Sequence, residues 1–299
     1  MNPPRDSLTF PETDRAFLQP HLPPLPAAAA APPPPATATT HQNGPPHDTT
    51  TRLPFTTLTF ATSLDSSLAL SPGTRTVLSG PQSKAMTHYL RSRHDAILIG
   101  VGTAVADDPA LNCRLAGVGG FGGEGLAGQP RPIIVDPAAR WRFRDDAKIF
   151  RMVREGRGRA PWVLVARGVV PDPGLRGVLE GVGGRYIYLP ARGVKGSGRW
   201  EFDWGEVLEY LCQVEGLRSV MIEGGGSIIN SLLEPRFQHL IDSVIVTIAP
   251  TWLGRGGVVV SPRRRVEGGV VVPASRLTAV KWYPFGEDVV LCGRIKVDV

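Results

Sequence analysis

Apolar residues along this chain come in short bursts separated by Gly, Pro and charged punctuation, and the bursts alternate between two periods. Phe55 to Ala61 is aromatic and β-branched and lies between Pro54 and the Ser63-Leu64-Asp65-Ser66 turn, which predicts a strand. Gly80-Pro81 predicts a helix start with proline in the first position, and Ala85/Tyr89 and Met86/Leu90 follow at helical spacing. Ala96-Ile97-Leu98-Ile99-Gly100 is continuously apolar, as a strand covered on both faces must be. Arg131 to Asp136, Trp162 to Ala166 and Arg185 to Leu189 predict further strands. Asp203 and Glu206 have the spacing of a capping box, opening a helix that carries Val207, Leu208 and Leu211 and stops at Gly216. Strands are expected at Val220 and at Ser243 to Ala249, with a last antiparallel strand at Val289 to Val297. This alternation is the order of an α/β domain.

The run Val220-Met221-Ile222-Glu223 ends in Gly224-Gly225-Gly226-Ser227, and Ile228, Ile229, Leu232 and Leu233 follow at helical spacing up to Pro235. A strand, a glycine turn and a helix start in succession aim backbone N–H groups and the positive end of a helix dipole at one point. Glycine also lets a ligand approach the main chain without a Cβ in the way. The expected occupant is a phosphate or pyrophosphate; the plainer alternative is a tight turn before a core helix.

A second group of polar residues begins where the buried strand at Ala96 ends. From Gly100 to Arg114 the chain offers the Thr103 hydroxyl, the Asp107 and Asp108 carboxylates and the Arg114 fork. Ligands of open α/β sheets sit outside the carboxyl ends of strands. The structural alternative is that Asp107 and Asp108 cap a turn ahead of Pro109.

Composition divides the chain unevenly. The first fifty residues hold 13 of the 29 prolines, together with an alanine run, and are expected to form a disordered arm, with residues 51–299 as one domain. The arm has the features of neither a signal peptide nor a mitochondrial address, because it carries Asp6, Glu12 and Asp14. No run of 18 apolar residues exists, so no membrane span is expected, and the expected compartment is cytoplasmic. The net charge of +6 is scattered, without a basic helix or zinc spacing; an anionic small ligand accounts for it without nucleic acid. Cys113, Cys212 and Cys292 are odd in number and widely spaced, which predicts reduced, buried thiols and no metal site. Gly117 to Gly128 and Arg192 to Arg199 are expected as mobile surface insertions, or as segments that order over a ligand.

Taken together, these residues carry a resemblance. The turn Ala61-Thr62-Ser63-Leu64-Asp65, the helix start Leu78-Ser79-Gly80-Pro81-Gln82, the block from Gly102-Thr103 through Asp107-Asp108-Pro109 to Leu111 and Arg114, Ile133-Ile134-Val135-Asp136, and Glu223-Gly224-Gly225-Gly226-Ser227 occur in one order. From Phe55 onward the chain resembles the pyrimidine reductases of riboflavin biosynthesis, in the stand-alone form of fungi and archaea, since no zinc deaminase motif precedes the match. The resemblance implies a dihydrofolate-reductase-like fold: a twisted, mostly parallel mixed sheet flanked by helices. A homodimer is implied as well. The implied reaction is NADPH-dependent reduction of the ribosyl group of 2,5-diamino-6-ribosylamino-4(3H)-pyrimidinone 5′-phosphate to the ribityl form.

By the same resemblance, Thr103 and Asp107 match cofactor-contacting positions, and Gly224, Gly225, Gly226, Ser227 and Ile228 match the pyrophosphate turn, which continues to Ser231. Glu223, Leu111, Arg114 and Arg91 match substrate contacts, with an arginine on the 5′-phosphate. Asp107 and Glu223 are the candidate catalytic acids; the alternative is that both only hydrogen-bond ribose or pyrimidine. Arg167 is a positional candidate for a 2′-phosphate. Ser66 stands where the family usually has glycine. Two other readings stay open: a different NADPH reductase of the same fold, such as a dihydrofolate reductase, and a nucleotide-binding module without catalysis.

Overall fold

A computed structural model describes residues 4, 6–25, 53–194, 199–262, 264, 266–267, 269–271 and 274–296. Nine strands form one sheet: β1 (Phe55–Thr62), β2 (Ala96–Gly100), β3 (Arg131–Val135), β4 (Trp162–Ala166), β5 (Arg185–Leu189), β6 (Ser219–Gly224), β7 (Ser243–Ile248), β8 (Leu277–Phe285) and β9 (Asp288–Ile295). Their spatial order is β8-β9-β7-β1-β6-β2-β3-β4-β5. All pairs from β7 to β5 are parallel, while β9 runs antiparallel to β7 and to β8. This is the mixed, mostly parallel sheet that was expected, with its antiparallel edge.

Among the described residues, six α-helices cover the faces: α1 (Pro81–Ser92), α2 (Val101–Asp107), α3 (Lys148–Arg154), α4 (Pro173–Gly181), α5 (Trp204–Gln213) and α6 (Gly226–Leu232). Strand alternation sorts the core. Leu98, Leu164 and Ile222 pack towards Val207, Leu208 and Leu211 of α5 and Ile229 of α6. Their neighbours Ile97, Ile99, Val163 and Val165 pack on the other face with Phe150 and Leu179. Asp203 caps α5, its Oδ1 accepting from the Gly205 and Glu206 amides at 2.9 and 3.3 Å. Strand β8 has no counterpart in the sequence reading. Most of its residues are exposed, so it carries no core-facing apolar alternation to announce it.

Three expectations about the chain are corrected. First, part of the arm is folded. Residues 6–25 pack Phe10, Leu18 and Leu22 into a cluster with Met86, Tyr89 and Leu90 of α1 and Phe285, Val290 and Cys292 of β8 and β9. Phe10 stacks on Tyr89 at 5.1 Å, and Phe17 on Tyr283 at 4.2 Å. The composition of fifty residues hid these few apolar side chains, which follow no regular period; residues 26–52 lie outside the described residues. Second, Gly117 to Gly128 is not a slack loop. Phe121 is wholly buried, and a Cβ at Gly119 or Gly123 would lie 2.6 or 2.3 Å from neighbouring backbone. Glycine there lets main chain meet main chain. Third, the insertion at 192–199 contributes Arg192–Val194 to a hairpin with Arg199–Glu201; residues 195–198 lie outside the described residues.

Ser66 has φ of 60°, the left-handed backbone that glycine adopts without steric cost. A serine therefore carries here a backbone conformation that glycine adopts freely. Asp65 beside it accepts from the Leu253 and Gly254 amides at 3.1 and 2.8 Å and fixes the chain after β7.

Candidate active site

The site is set by two neighbouring parallel strands that each run into a helix. β2 ends at Gly100 and opens α2; β6 ends at Gly224 and opens α6, with Ile99 opposite Gly224. Both helix starts therefore lie side by side at the carboxyl edge of the sheet. At an α-helix start the first amides have no acceptor within the helix, so two such sets of N–H groups converge here.

The three glycines after Glu223 serve three different ends. Gly224 has φ of 116°. The Gly224–Gly225 peptide is cis. A Cβ on Gly225 would lie 2.8 Å from Thr103 Oγ1, so the α6 backbone touches the first turn of α2 at this point. A Cβ on Gly226 would lie 2.4 Å from Val258 Cγ1, which is a packing demand from the short Val258–Val259 strand. Gly225 is thus the one of the three that faces Thr103. Ser227 is exposed and Ile228 is buried against Gly100, so Ile228 can offer a ligand only its main chain. Thr103 and Asp107 are one helical step of four apart and share a face of α2.

Asp107 and Asp108 part company. Asp108 has φ of 40°, ends α2, and accepts from the Lys148 amide at the start of α3 at 3.1 Å, a tie to a distant helix and not the turn ahead of Pro109 that the structural alternative supposed. Burial pushes the Asp107 carboxyl above the usual carboxylate range, against the pull of Arg75 and Lys148.

Glu223 and Arg91 are brought together. Arg91 Nε donates to Glu223 Oε1 at 2.8 Å and Arg91 Nη2 donates to Oε2 at 2.7 Å, a bidentate pair. Burial alone would lower the Arg91 pKa, but Glu223 outweighs it and raises it. Arg91 Nη1 also donates to the Asn112 carbonyl at 3.1 Å. The fork of Arg91 is therefore spent within the protein and not held open for a phosphate. Leu111 is buried in the core with φ of 53°, so its side chain does not reach the site. Arg114 differs from both. Its side chain is 23% exposed, and its nearest acidic group, Asp6 Oδ2, stands 3.9 Å away.

Three residues around this node escaped the sequence reading. The Arg114 amide donates to His88 Nδ1 at 3.1 Å, and burial, with Arg91 and Arg114 nearby, pushes His88 down to about 2. His88 is thus a neutral acceptor and no proton donor. Asn112 Nδ2 donates to the Arg157 carbonyl at 2.9 Å, and Arg157 Nη2 donates to both Asp6 carboxylate oxygens at 2.6 and 2.7 Å. Nothing in the one-dimensional pattern links residue 6 to residue 157. The three cysteines are buried. Among the described residues, no group of three or more His, Cys, Asp or Glu side chains could hold a metal ion, and no helix is long and apolar enough to cross a membrane.

Known proteins give the site its context. The chain is 42% identical over 251 residues to the 2,5-diamino-6-ribosylamino-4(3H)-pyrimidinone 5′-phosphate reductase of Eremothecium gossypii, covering 84% of this chain and 92% of that one. To the reductase of the same name from Debaryomyces hansenii it is 40% identical over 243 residues, covering 81% and 90%. The solved riboflavin biosynthesis reductase of Saccharomyces cerevisiae superposes with a TM-score of 0.65 at 32% identity, covering 95% of this chain and all of that one. The model of the RibD C-terminal domain matches residues 54–291, from the start of β1 into β9, and so includes Thr103, Arg114 and the Glu223–Ile228 turn; the chain belongs to the RibD C-terminal domain family.

Proposed function

We propose that this protein reduces the ribosyl side chain of 2,5-diamino-6-ribosylamino-4(3H)-pyrimidinone 5′-phosphate to the ribityl form with NADPH, an early step of riboflavin biosynthesis. The observation that carries the reading is the close approach of Gly225 to Thr103 at two adjacent helix starts, one residue beyond the end of β6 at Gly224. The relatives named above bear that substrate in their own names.

A nicotinamide cofactor fits these residues, because the close approach at Gly225 is what a Cβ would fill and the helix starts present amides to a pyrophosphate. Thr103, Asp107 and the Gly224–Ile228 turn would hold it, and it would supply the hydride. Arg167, exposed just past β4, is a candidate for a 2′-phosphate by position alone, the alternative being a solvated loop arginine. On the substrate side, the ribosylamine opens to an imine at C1′, and the nitrogen gains a proton as that carbon is reduced. Glu223, fixed by Arg91, presents an oriented acceptor for ring N–H groups. Arg114 takes the 5′-phosphate and Asp107 supplies the proton. The chain's own contribution is position and charge.

Arg114→Ala is expected to weaken substrate binding by about 1.5–3 kcal/mol, roughly ten- to a hundredfold. Cofactor affinity should stay where it was. Steady-state KM for the substrate and a fluorescence titration with NADPH measure the two, and equal losses would refute a substrate-specific role.

The pH dependence follows from Asp107. Its raised pKa means the protonated fraction falls as pH climbs through that value, and kcat falls with it. Asp107→Asn should lower kcat by about 100-fold and abolish that alkaline limb. A variant that only raises KM for NADPH, with the wild-type kcat–pH profile, would assign Asp107 to ribose binding instead.

The homodimer belongs to the same reading. β8 lies at the open edge of the sheet with Trp282 60% exposed, and Trp252 is 74% exposed. Sedimentation equilibrium is expected to give twice the chain mass, and Trp282→Glu to shift it towards the monomer.

A further inference from the structure

We propose that Asp6, in the N-terminal segment, is a positioning residue that aims Arg114 at the phosphate end of the substrate; this rests on the phosphate reading of Arg114 given above. The segment is tied to Arg114 through the main chain. Leu8 N donates to the Arg114 carbonyl at 2.8 Å, and Ala116 N donates to the Leu8 carbonyl at 2.9 Å. These two bonds hold the backbone on both sides of Leu115. Arg114 Nη1 then reaches the Asp6 carbonyl at 3.5 Å, with the Asp6 carboxylate 3.9 Å away.

A carboxylate beside a phosphate-binding arginine could simply take the phosphate's place. Arg157 prevents it. Its Nη2 holds both Asp6 oxygens at 2.6 and 2.7 Å, while its guanidinium lies 4.5 Å over the Phe121 ring. The glycine-rich turn that buries Phe121 thus supplies the platform for the clamp. With its carboxylate engaged there, Asp6 biases the direction of Arg114 without closing on its fork. Phosphate recognition by arginine depends on that direction, because the bidentate contact is planar and fixed. A free arginine side chain would lose rotamer entropy on each binding event; one already oriented loses less. The polar chain continues from Arg157 through Asn112 to Arg91 and Glu223, so the segment is joined to the substrate side of the site at both Arg114 and the Asn112 node.

Asp6→Ala is expected to raise KM for the phosphorylated substrate roughly tenfold, with kcat and NADPH affinity within about twofold of the wild type. Inorganic phosphate, used as a competitive inhibitor against the substrate, should weaken by the same factor. Asp6→Asn keeps the main-chain carbonyl and an oxygen for Arg157, and should recover most of the loss. Arg157→Gln releases the Asp6 carboxylate towards Arg114, and should raise the same KM with no help from a change at residue 6. An unchanged KM in Asp6→Ala overturns the proposal, whether or not the melting temperature falls. A lower KM also overturns it, by showing that the carboxylate competes with the phosphate. If Arg114→Ala itself leaves KM unchanged, the phosphate reading fails; if Arg114→Ala raises KM and Asp6→Ala does not, only the positioning role is lost.

Discussion

Gly225→Val is expected to abolish NADPH binding while the domain still folds. The backbone at Gly225 has φ of −69° and ψ of −176°, values that any residue can adopt. The obstacle is spatial. The first added carbon would sit 2.8 Å from Thr103 Oγ1, and valine adds two methyl groups beyond it. The side chain would fill the gap between the two helix starts where the pyrophosphate meets main-chain N–H groups. Losing two charge-assisted hydrogen bonds at about 1.5–3 kcal/mol each lowers affinity by more than about 100-fold. A fluorescence titration with NADPH reads the loss, and a circular dichroism melt checks that the fold persists. Unchanged affinity would sink the phosphate-turn assignment.

Leu18→Ala should destabilise the protein as strongly as a substitution in the centre of the sheet, although residue 18 lies in a segment whose composition reads as disordered. Leu18 is fully buried against α1 and the β8–β9 hairpin together with Phe10 and Leu22. Truncating a buried leucine removes its transfer free energy and leaves a cavity, which costs about 2–5 kcal/mol. For a domain of this size that lowers Tm by roughly 4–20 °C. Leu25, 68% exposed at the end of the same segment, is the control: Leu25→Ala should change stability by no more than about 0.5 kcal/mol. Equal melting temperatures for the two variants would show that the segment does not contribute to the fold. Deletion of residues 1–50 is therefore expected to destabilise the domain, contrary to what the composition of the arm implies.

What the chain determined by itself is local. A short continuous apolar run such as Ala96–Gly100, bounded by glycine, suits a covered strand, and Gly80-Pro81 and Asp203 suit helix starts, so the alternating α/β order was legible residue by residue. The Glu223-to-Ser227 junction announced a strand, a glycine turn and a helix start for the same reason, because glycine and a helix start act over a few residues. The pairing of partners distant in sequence was decided only by tertiary structure. Arg91 and Glu223 are 132 residues apart and were assigned separately to the substrate, yet folding pairs them, so that Arg91 orients Glu223. Leu111 shares a motif with Arg114, but a positive φ turns its side chain into the core. The glycines from 117 to 128 have the composition of a slack loop and the contacts of a packed one, since glycine permits both and only the neighbouring backbone selects between them. Asp108 ties the start of α3 through the Lys148 amide, while partial burial raises the pKa of Asp107, and burial is a property of the whole fold that no local pattern encodes.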